Sequence, residues 1–367
     1  MSRMPTGWMK AATATIAIGT LALAGCSSSD DSTTTDTPTS AGASADTSGT
    51  PAAPTGEPLA GGAITEGVFF GDSLTDAGTY GYRFTTMPGQ TWAQHIADGL
   101  GQSTESNEHV ADPNDVYVGK PGEPGPGGLN YAEGGAKANS AYSAVSDAAD
   151  GTPISVKVQV DRFLEQHQKF DPDQLATVYI GTNDVAYNYD PSINPEMAQS
   201  LRDNTPAPEN VMASEDARVR TAASDEADQV QRMLDNGAEH ILVFNVFDLA
   251  KLPWFESDAS RDYVHTLATS YNDELTNSLP DDPRVQVLDT WSFVDDLVEN
   301  KEDNGFTHGA NEDACREPGQ NVCEKDAWAS EDADQTYIFS AAEHMTTRAN
   351  ELLADYVTAQ INEKFGK

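Results

Sequence analysis

The chain has 367 residues, of which 38% are apolar, and it carries a formal net charge of −38. This length is enough for one large domain or two small ones. A surface this acidic repels nucleic acid and anionic membrane faces, so the charge argues against a nucleic-acid-binding function.

The first 25 residues have the organisation of an export signal. Arg3 and Lys10 precede an apolar run of 15 residues, which is too short to span a bilayer comfortably and fits the core of a signal peptide. The run ends in Leu-Ala-Gly-Cys, which resembles the lipobox of bacterial lipoproteins. This resemblance implies that Cys26 is lipidated and anchors the exported chain to the bacterial cell envelope, at the outer membrane or the cell surface. The alternative is a plain signal peptide followed by a chance cysteine.

Residues 26–62 are mostly Ser, Thr, Asp, Ala, Pro and Gly. Such a composition cannot build a core, so we expect a disordered tether. The remaining residues, 63–367, show no internal repeat and no second set of domain signals. We therefore predict a single folded domain over 63–367.

The folded part alternates strand and helix patterns. Short apolar runs ending in polar turns predict buried strands within residues 63–73, 175–184, 239–249 and 285–289. Apolar residues at steps of three and four predict helices within 219–234 and 352–361. This alternation favours an α/β fold, with a parallel sheet covered by helices on both faces. In such sheets the ligand site lies beyond the carboxyl ends of the strands.

Two segments have weaker patterns. Residues 154–160 alternate apolar and polar side chains as a strand does, whereas the following residues to 170 have a helical pattern. We expect a helix for the second half of this stretch. Residues 107–130 are rich in Pro and Gly, and we expect a long loop there.

Chemically useful side chains follow the predicted strands. Ser73 comes directly after the first strand, where Gly71 allows a tight turn. Gly134 and Gly135 could bring a backbone N–H close to a ligand, and the amide of Asn183 follows a second strand. Together these groups could supply a nucleophile and an oxyanion hole. Serine needs a base to take its proton, and His344 is the candidate base.

The segments GDSLTDAG, NYAEGGA and GTND, followed by the His344 segment, resemble the blocks of the GDSL (SGNH) family of esterases and lipases. The resemblance spans roughly residues 65 to 360. It implies a three-layer α/β/α sandwich in which Ser73 is the nucleophile. It also implies an oxyanion hole formed by the N–H of Ser73, the N–H of Gly135 and the amide of Asn183. Gly135 is chosen because it follows Asn130 by the family's spacing, with Gly134 as the fallback.

The chain departs from the family at the acid that orients the histidine. Members usually carry Asp three residues before the histidine, where this chain has Ala341. Glu343 could replace that acid, or Asp332 or Asp334 could fold back onto the imidazole. The third alternative, which we favour, is a Ser–His dyad in which a backbone carbonyl or a bound anion holds the ring.

Two cysteines besides Cys26 lie close together, Cys315 and Cys323. In an exported protein this spacing predicts a disulfide. A metal-binding pair is the alternative, but no nearby histidine spacing supports it. We predict no metal and no cofactor.

The sequence therefore predicts an exported serine esterase or lipase that hydrolyses a small ester or lipid through an acyl-enzyme. It is expected to be a monomer whose contact with the membrane is the N-terminal lipid. Two alternatives stay open: a surface binding protein on a degenerate hydrolase scaffold, and an acyltransferase that uses an alcohol or glycan as acceptor.

Overall fold

The computed structural model describes residues 59–110, 122–125, 127–140, 153–191, 193–316 and 322–366. The predicted signal segment, Cys26 and the tether up to residue 58 lie outside these ranges, as do residues 111–121 and 126 of the predicted 107–130 loop. Among the described helices, none combines the length and the apolar character needed to cross a membrane.

The described strands are β1 (Glu66–Gly71), β2 (Glu108–His109), β3 (Glu123–Pro124), β4 (Gln174–Tyr179), β5 (His240–Phe244), β6 (Val285–Leu288), β7 (His308–Asp313), β8 (Tyr337–Ser340) and β9 (His344–Met345). The described α-helices are α1 (Trp92–Gly99), α2 (Val156–His167), α3 (Thr182–Ala186), α4 (Pro195–Arg202), α5 (Glu209–Asp235), α6 (Asp258–Ser278), α7 (Thr290–Glu299), α8 (Ala333–Thr336) and α9 (Thr347–Phe365).

The central sheet has the strand order β1-β4-β5-β6, and each neighbouring pair is parallel. All four strands were predicted from their apolar runs. On the free side of β1, Asn130 forms a parallel bridge to Phe69. The carboxyl end of β1 therefore lies between the loop that contains Asn130 on one side and the end of β4 on the other. The carboxyl ends of the strands are where α/β sheets form ligand sites.

Helices cover both faces of this sheet. Consecutive strand side chains point to opposite faces, and the neighbours Phe69 and Phe70 show where each face packs. Phe69 contacts Trp92 of α1, with ring centroids 5.8 Å apart. Phe70 contacts Phe163 of α2 at 6.0 Å. The predicted three-layer α/β/α sandwich is thus confirmed, with α1 packed on α9 in one layer and α2, α5 and α6 in the other.

Two local expectations differ from the structure. The stretch with a mixed pattern is helical from Val156 onward, because Val156, Val160 and Phe163 fall on one buried helix face. The alternating valines therefore do not form a strand. At the N-terminal boundary, Leu59 is 6% exposed and the N–H of Ala60 donates to Asn362 in α9 at 2.7 Å. Described packing therefore extends to Leu59, inside the predicted tether, because Leu59 is an apolar side chain within a polar stretch.

A second, three-stranded sheet carries the C-terminal part of the site. In it β7 pairs parallel with β8, and β8 pairs antiparallel with β9. The predicted disulfide is confirmed: Cys315 and Cys323 are bonded just after β7. Ala341 packs in a buried cluster with both cysteines and Trp328, directly ahead of His344.

Candidate active site

Ser73 is presented by a tight turn at the end of β1. A Cβ at Gly71 would lie 2.4 Å from the carbonyl oxygen of Tyr179 in the next strand, so only glycine fits there. The carboxyl of Asp72 then accepts a hydrogen bond from the Leu74 N–H at 3.0 Å, closing a turn around Ser73. Ser73 is 8% exposed. The turn therefore holds its hydroxyl at the sheet edge with little freedom.

His344 meets Ser73 across the two sheets. Its Nε2 lies 2.9 Å from the Ser73 Oγ, although 271 residues separate them in the chain. The imidazole is 2% exposed and packs against the ring of Phe84, with centroids 4.9 Å apart. A serine hydroxyl hydrogen-bonded to a buried imidazole is the arrangement in which a base can activate a nucleophile.

The other ring nitrogen of His344 has no hydrogen-bond partner among the described residues. Its Nδ1 is buried, and no atom in the described part of the chain forms a hydrogen bond with it. Neither Glu343 nor Asp334 therefore reaches the ring, and the Asp334 carboxyl instead accepts from Gln335 at 3.2 Å. Asp332 accepts from Ser330. The expected backbone carbonyl acceptor is also not found among the described residues.

Burial without a charged neighbour controls the protonation of His344. It lowers the pKa of the imidazole to about 3, because no carboxylate compensates for the lost hydration of the charged ring. The ring is therefore neutral in neutral solution and ready to accept a proton at Nε2.

The two glycines in the loop beside β1 have different roles. The N–H of Gly134 donates to the Asp76 carboxyl at 2.9 Å, so it is already used. A Cβ at Gly134 would also lie 2.2 Å from the Phe84 ring. Gly135 has a φ of +84°, a left-handed conformation that favours glycine, and no described residue accepts from its N–H. Within the described residues, Gly135 rather than Gly134 therefore offers a backbone N–H that is not already bonded.

Asn183 lies on the opposite side of β1 from the Gly135 loop in the strand order, at the start of α3. Its side-chain amide donates to the carbonyl of Ala136 at 3.0 Å, which joins the two loops. The same nitrogen lies 3.5 Å from the Asp72 carboxyl. Asn183 is only partly buried. The amide thus borders Asp72, the residue before Ser73, and Ala136, the residue after Gly135.

Two acids near these groups, the buried Asp72 and the half-buried Glu343, have raised pKa values. Burial raises the pKa of Asp72 to about 8, against the lowering effect of the Leu74 N–H, and the charges of Asp184 and Glu343 add to the rise. Burial also raises the pKa of Glu343 to about 7, with a further contribution from Asp190. Asp72 is therefore largely protonated at neutral pH, and it places little negative charge beside Ser73.

Two neighbours of the site were not found by sequence reasoning, Phe84 and Asp313. Phe84 packs on His344, and Asp313 accepts a hydrogen bond from the N–H of Ala342, two residues before the histidine. Both residues lie in stretches that resemble the family, RFTTMPGQTWAQHIADGLG and GFTHGANEDAC, but the sequence gives neither side chain a chemical role and does not connect it with the histidine. No group of three His, Cys, Asp or Glu residues in the described ranges could hold a metal ion.

Most of the chain is similar in sequence to known proteins. The family model for the GDSL-like Lipase/Acylhydrolase matches residues 68–357, a range that contains Ser73, Asn183 and His344. A phosphatidylcholine-sterol acyltransferase of Aeromonas hydrophila is 26% identical over 311 residues, which cover 80% of this chain and 77% of that protein. The chain therefore belongs to the family of GDSL-like lipases and acylhydrolases.

Proposed function

We propose that this protein hydrolyses carboxylic esters through an acyl-enzyme, with Ser73 as the nucleophile and His344 as its base. The observation that carries the proposal is the 2.9 Å contact between the Ser73 Oγ and the His344 Nε2. A degenerate scaffold that only binds ligands would have no need to keep this contact between two buried groups. The proposal therefore favours an enzyme over a binding protein.

The reaction would begin with transfer of the Ser73 proton to the neutral Nε2 of His344 as Oγ attacks the ester carbonyl. The negative charge that develops on the carbonyl oxygen would be stabilised by three donors: the N–H groups of Ser73 and Gly135 and the amide of Asn183. The Asn183 amide, which donates to the Ala136 carbonyl in the structure, would have to turn from that carbonyl to the oxyanion. Neither backbone N–H is used within the described structure. The protonated imidazole would then give its proton to the leaving alcohol.

Water would complete the cycle by the same route. His344 would accept a proton from water as it attacks the acyl group on Ser73, and Oγ would leave as the restored hydroxyl. Because no described residue accepts a hydrogen bond from Nδ1, the imidazolium that forms in each half-reaction would lack the stabilisation of a carboxylate. We therefore propose a Ser–His dyad and expect slower turnover than in a complete triad.

Acyl transfer to an alcohol is a second candidate function. It is favoured by the similarity to the Aeromonas hydrophila acyltransferase. The acyl-enzyme would be the same, and only the group that attacks it would differ. The substrate would be a small ester or a lipid in either case.

The proposal also includes an exported, lipid-anchored location. It rests on the apolar run that ends at Cys26. Labelling of the wild-type protein with a fatty-acid analogue in bacterial cells, and loss of the label in Cys26→Ser, would support the anchor. Absence of label from the wild-type protein would contradict it.

The test of the enzymatic proposal uses the full chain purified in detergent and p-nitrophenyl esters of graded acyl length. Ser73→Ala should lower turnover by about a millionfold, because a nucleophile and its base act as a unit. The melting temperature should change little. Addition of a long-chain alcohol separates the two functions, since a transferase forms a new ester whereas a hydrolase releases only the free acid. Retained activity in Ser73→Ala would refute both.

A further inference from the structure

We propose that Asp313 is a positioning residue for His344: its carboxylate holds the backbone turn ahead of the histidine, and this turn directs the imidazole at Ser73. The inference deepens the proposed function and rests on it, because it explains how the histidine is oriented in a chain that has alanine at the usual place of the acid.

The turn between β8 and β9 has an unfavourable backbone conformation. Ala341 has a φ of +51° and Ala342 a φ of +66°, so two consecutive residues with a Cβ are left-handed. Such conformations are unfavourable for residues other than glycine and persist only when their surroundings enforce them. The turn leads directly into His344, which pairs with Ser340 across the hairpin. A change in the turn would therefore move the imidazole.

Hydrogen bonds from outside the hairpin hold this turn. One oxygen of the Asp313 carboxyl accepts from the N–H of Ala342 at 2.8 Å, and the other accepts from the N–H of Cys315 at 2.8 Å. The N–H of Trp254 donates to the carbonyl of Ala342 at 3.0 Å. Both polar groups of the Ala342 backbone are thus bonded, and Asp313 provides the acceptor.

Asp313 is itself well fixed. It is the last residue of β7, where it pairs with Phe339 of β8, and the N–H of Ala314 donates to the Phe339 carbonyl at 2.9 Å. The disulfide of Cys315 follows two residues later. The carboxyl is therefore anchored on the sheet that carries the hairpin, and it can enforce the turn rather than follow it.

The immediate surroundings of the histidine leave little else to orient it. Nδ1 has no hydrogen-bond partner in the described part of the chain. Ala341 is 2% exposed and packs in the cluster of the disulfide, so its methyl group contributes only packing. Orientation must come from the backbone turn and from the Phe84 ring. In this way Asp313 would perform the geometric part of the task of a third triad member, without contact with the imidazole.

Asp313→Asn in the full chain tests the inference. The amide can accept from one N–H, but its NH₂ group faces the other N–H and repels it. We expect kcat to fall roughly 10- to 100-fold, the effect of a displacement on the order of 1 Å, with KM changed less than about threefold. The pH dependence of kcat/KM should not move, because no charge facing the imidazole is lost. Asp332→Asn, an exposed carboxyl on a nearby turn, is the matched control and should behave as wild type.

A second substitution separates a backbone role from a direct electrostatic one. Ala342→Gly accepts the left-handed conformation without penalty. Added to Asp313→Asn, it should restore most of the lost kcat, whereas glycine cannot replace a charge that acts on the ring. Should Asp313→Asn fold poorly, Asp313→Glu keeps the charge but displaces it by one methylene, and it should give an intermediate kcat per active site.

The rate of labelling of Ser73 by a fluorophosphonate is measured for every variant, because it reports activation by His344 without requiring the correct ester. If the wild-type chain is labelled quickly but cleaves no ester, the proposed hydrolysis is wrong. The role of Asp313 is then judged from the labelling rate of Asp313→Asn relative to that of wild type. Unchanged kcat and labelling in Asp313→Asn would overturn the inference. The inference would also be overturned if Ala342→Gly did not restore the kcat lost in Asp313→Asn and the pH dependence of kcat/KM shifted. Asp313 would then act on the imidazole through its charge.

Discussion

The protonation of His344 gives the sharpest quantitative prediction. Burial lowers its pKa from an ordinary 6.5 to about 3. At about 1.4 kcal/mol per unit, this shift corresponds to roughly 5 kcal/mol of unfavourable free energy for charging the folded imidazole. The base should therefore stay neutral in mildly acidic solution, and kcat/KM at pH 5 should remain within about twofold of its value at pH 7.

The same shift makes stability depend on pH. As the pH falls below about 6.5, the unfolded chain takes up a proton on this histidine, whereas the folded chain does so only near pH 3. The unfolded state binds more protons between these values, so the contribution of His344 to the free energy of unfolding falls as the pH falls. Between pH 7 and pH 4 this loss should be about 3 kcal/mol, and His344→Gln should remove it.

The assay follows ester cleavage by chromatography of the released alcohol, so that the readout does not depend on pH. Urea unfolding of wild type and His344→Gln at pH 7 and pH 4 isolates the histidine from the buried acids, which both proteins share. An acid limb of kcat/KM near 6.5 or above that persists in Glu343→Gln would refute the reasoning, because an imidazole buried without a compensating charge should not bind a proton at that pH. Glu343→Gln and Asp334→Asn should leave the limb and kcat unchanged, since neither carboxylate contacts the ring.

Two further predictions concern packing. Gly134→Ala places a methyl group 2.2 Å from the Phe84 ring, which supports the histidine, and should cost about 1–3 kcal/mol of stability and lower kcat. The control Gly99→Ala meets no atom within 4 Å and should be neutral or slightly stabilising in thermal unfolding. Replacement of Cys315 and Cys323 by alanine should cost about 2.5 kcal/mol in the chain-entropy model, measured by urea unfolding, since the pair closes a loop with a sequence separation of 8. Mass spectrometry of the unreduced protein should show the bond, and two free thiols would contradict it.

The sequence does not predict which side chain takes over the orienting role of the missing acid at position 341. An aspartate at position 341 would match the family pattern, and the sequence suggests that it could reach the histidine. In the structure Ala341 is left-handed and its methyl packs with the disulfide, so a carboxylate there would enter an apolar cluster. The same local geometry gives Asp313 a place to bind the turn. Neither fact can be read from the spacing of residues along the chain.

The sequence by itself determined the sheet, the covering helices and the strand ends that carry Ser73 and Asn183. These features follow from local apolar runs and periodicity, in which neighbours along the chain share one environment. Ordered family blocks added Gly135 and His344. The tertiary structure decided which glycine has a free N–H, that Phe84 supports His344, and that no described residue bonds its Nδ1. Those outcomes depend on side chains from distant segments that meet in one buried site, and burial there sets both hydrogen bonding and charge.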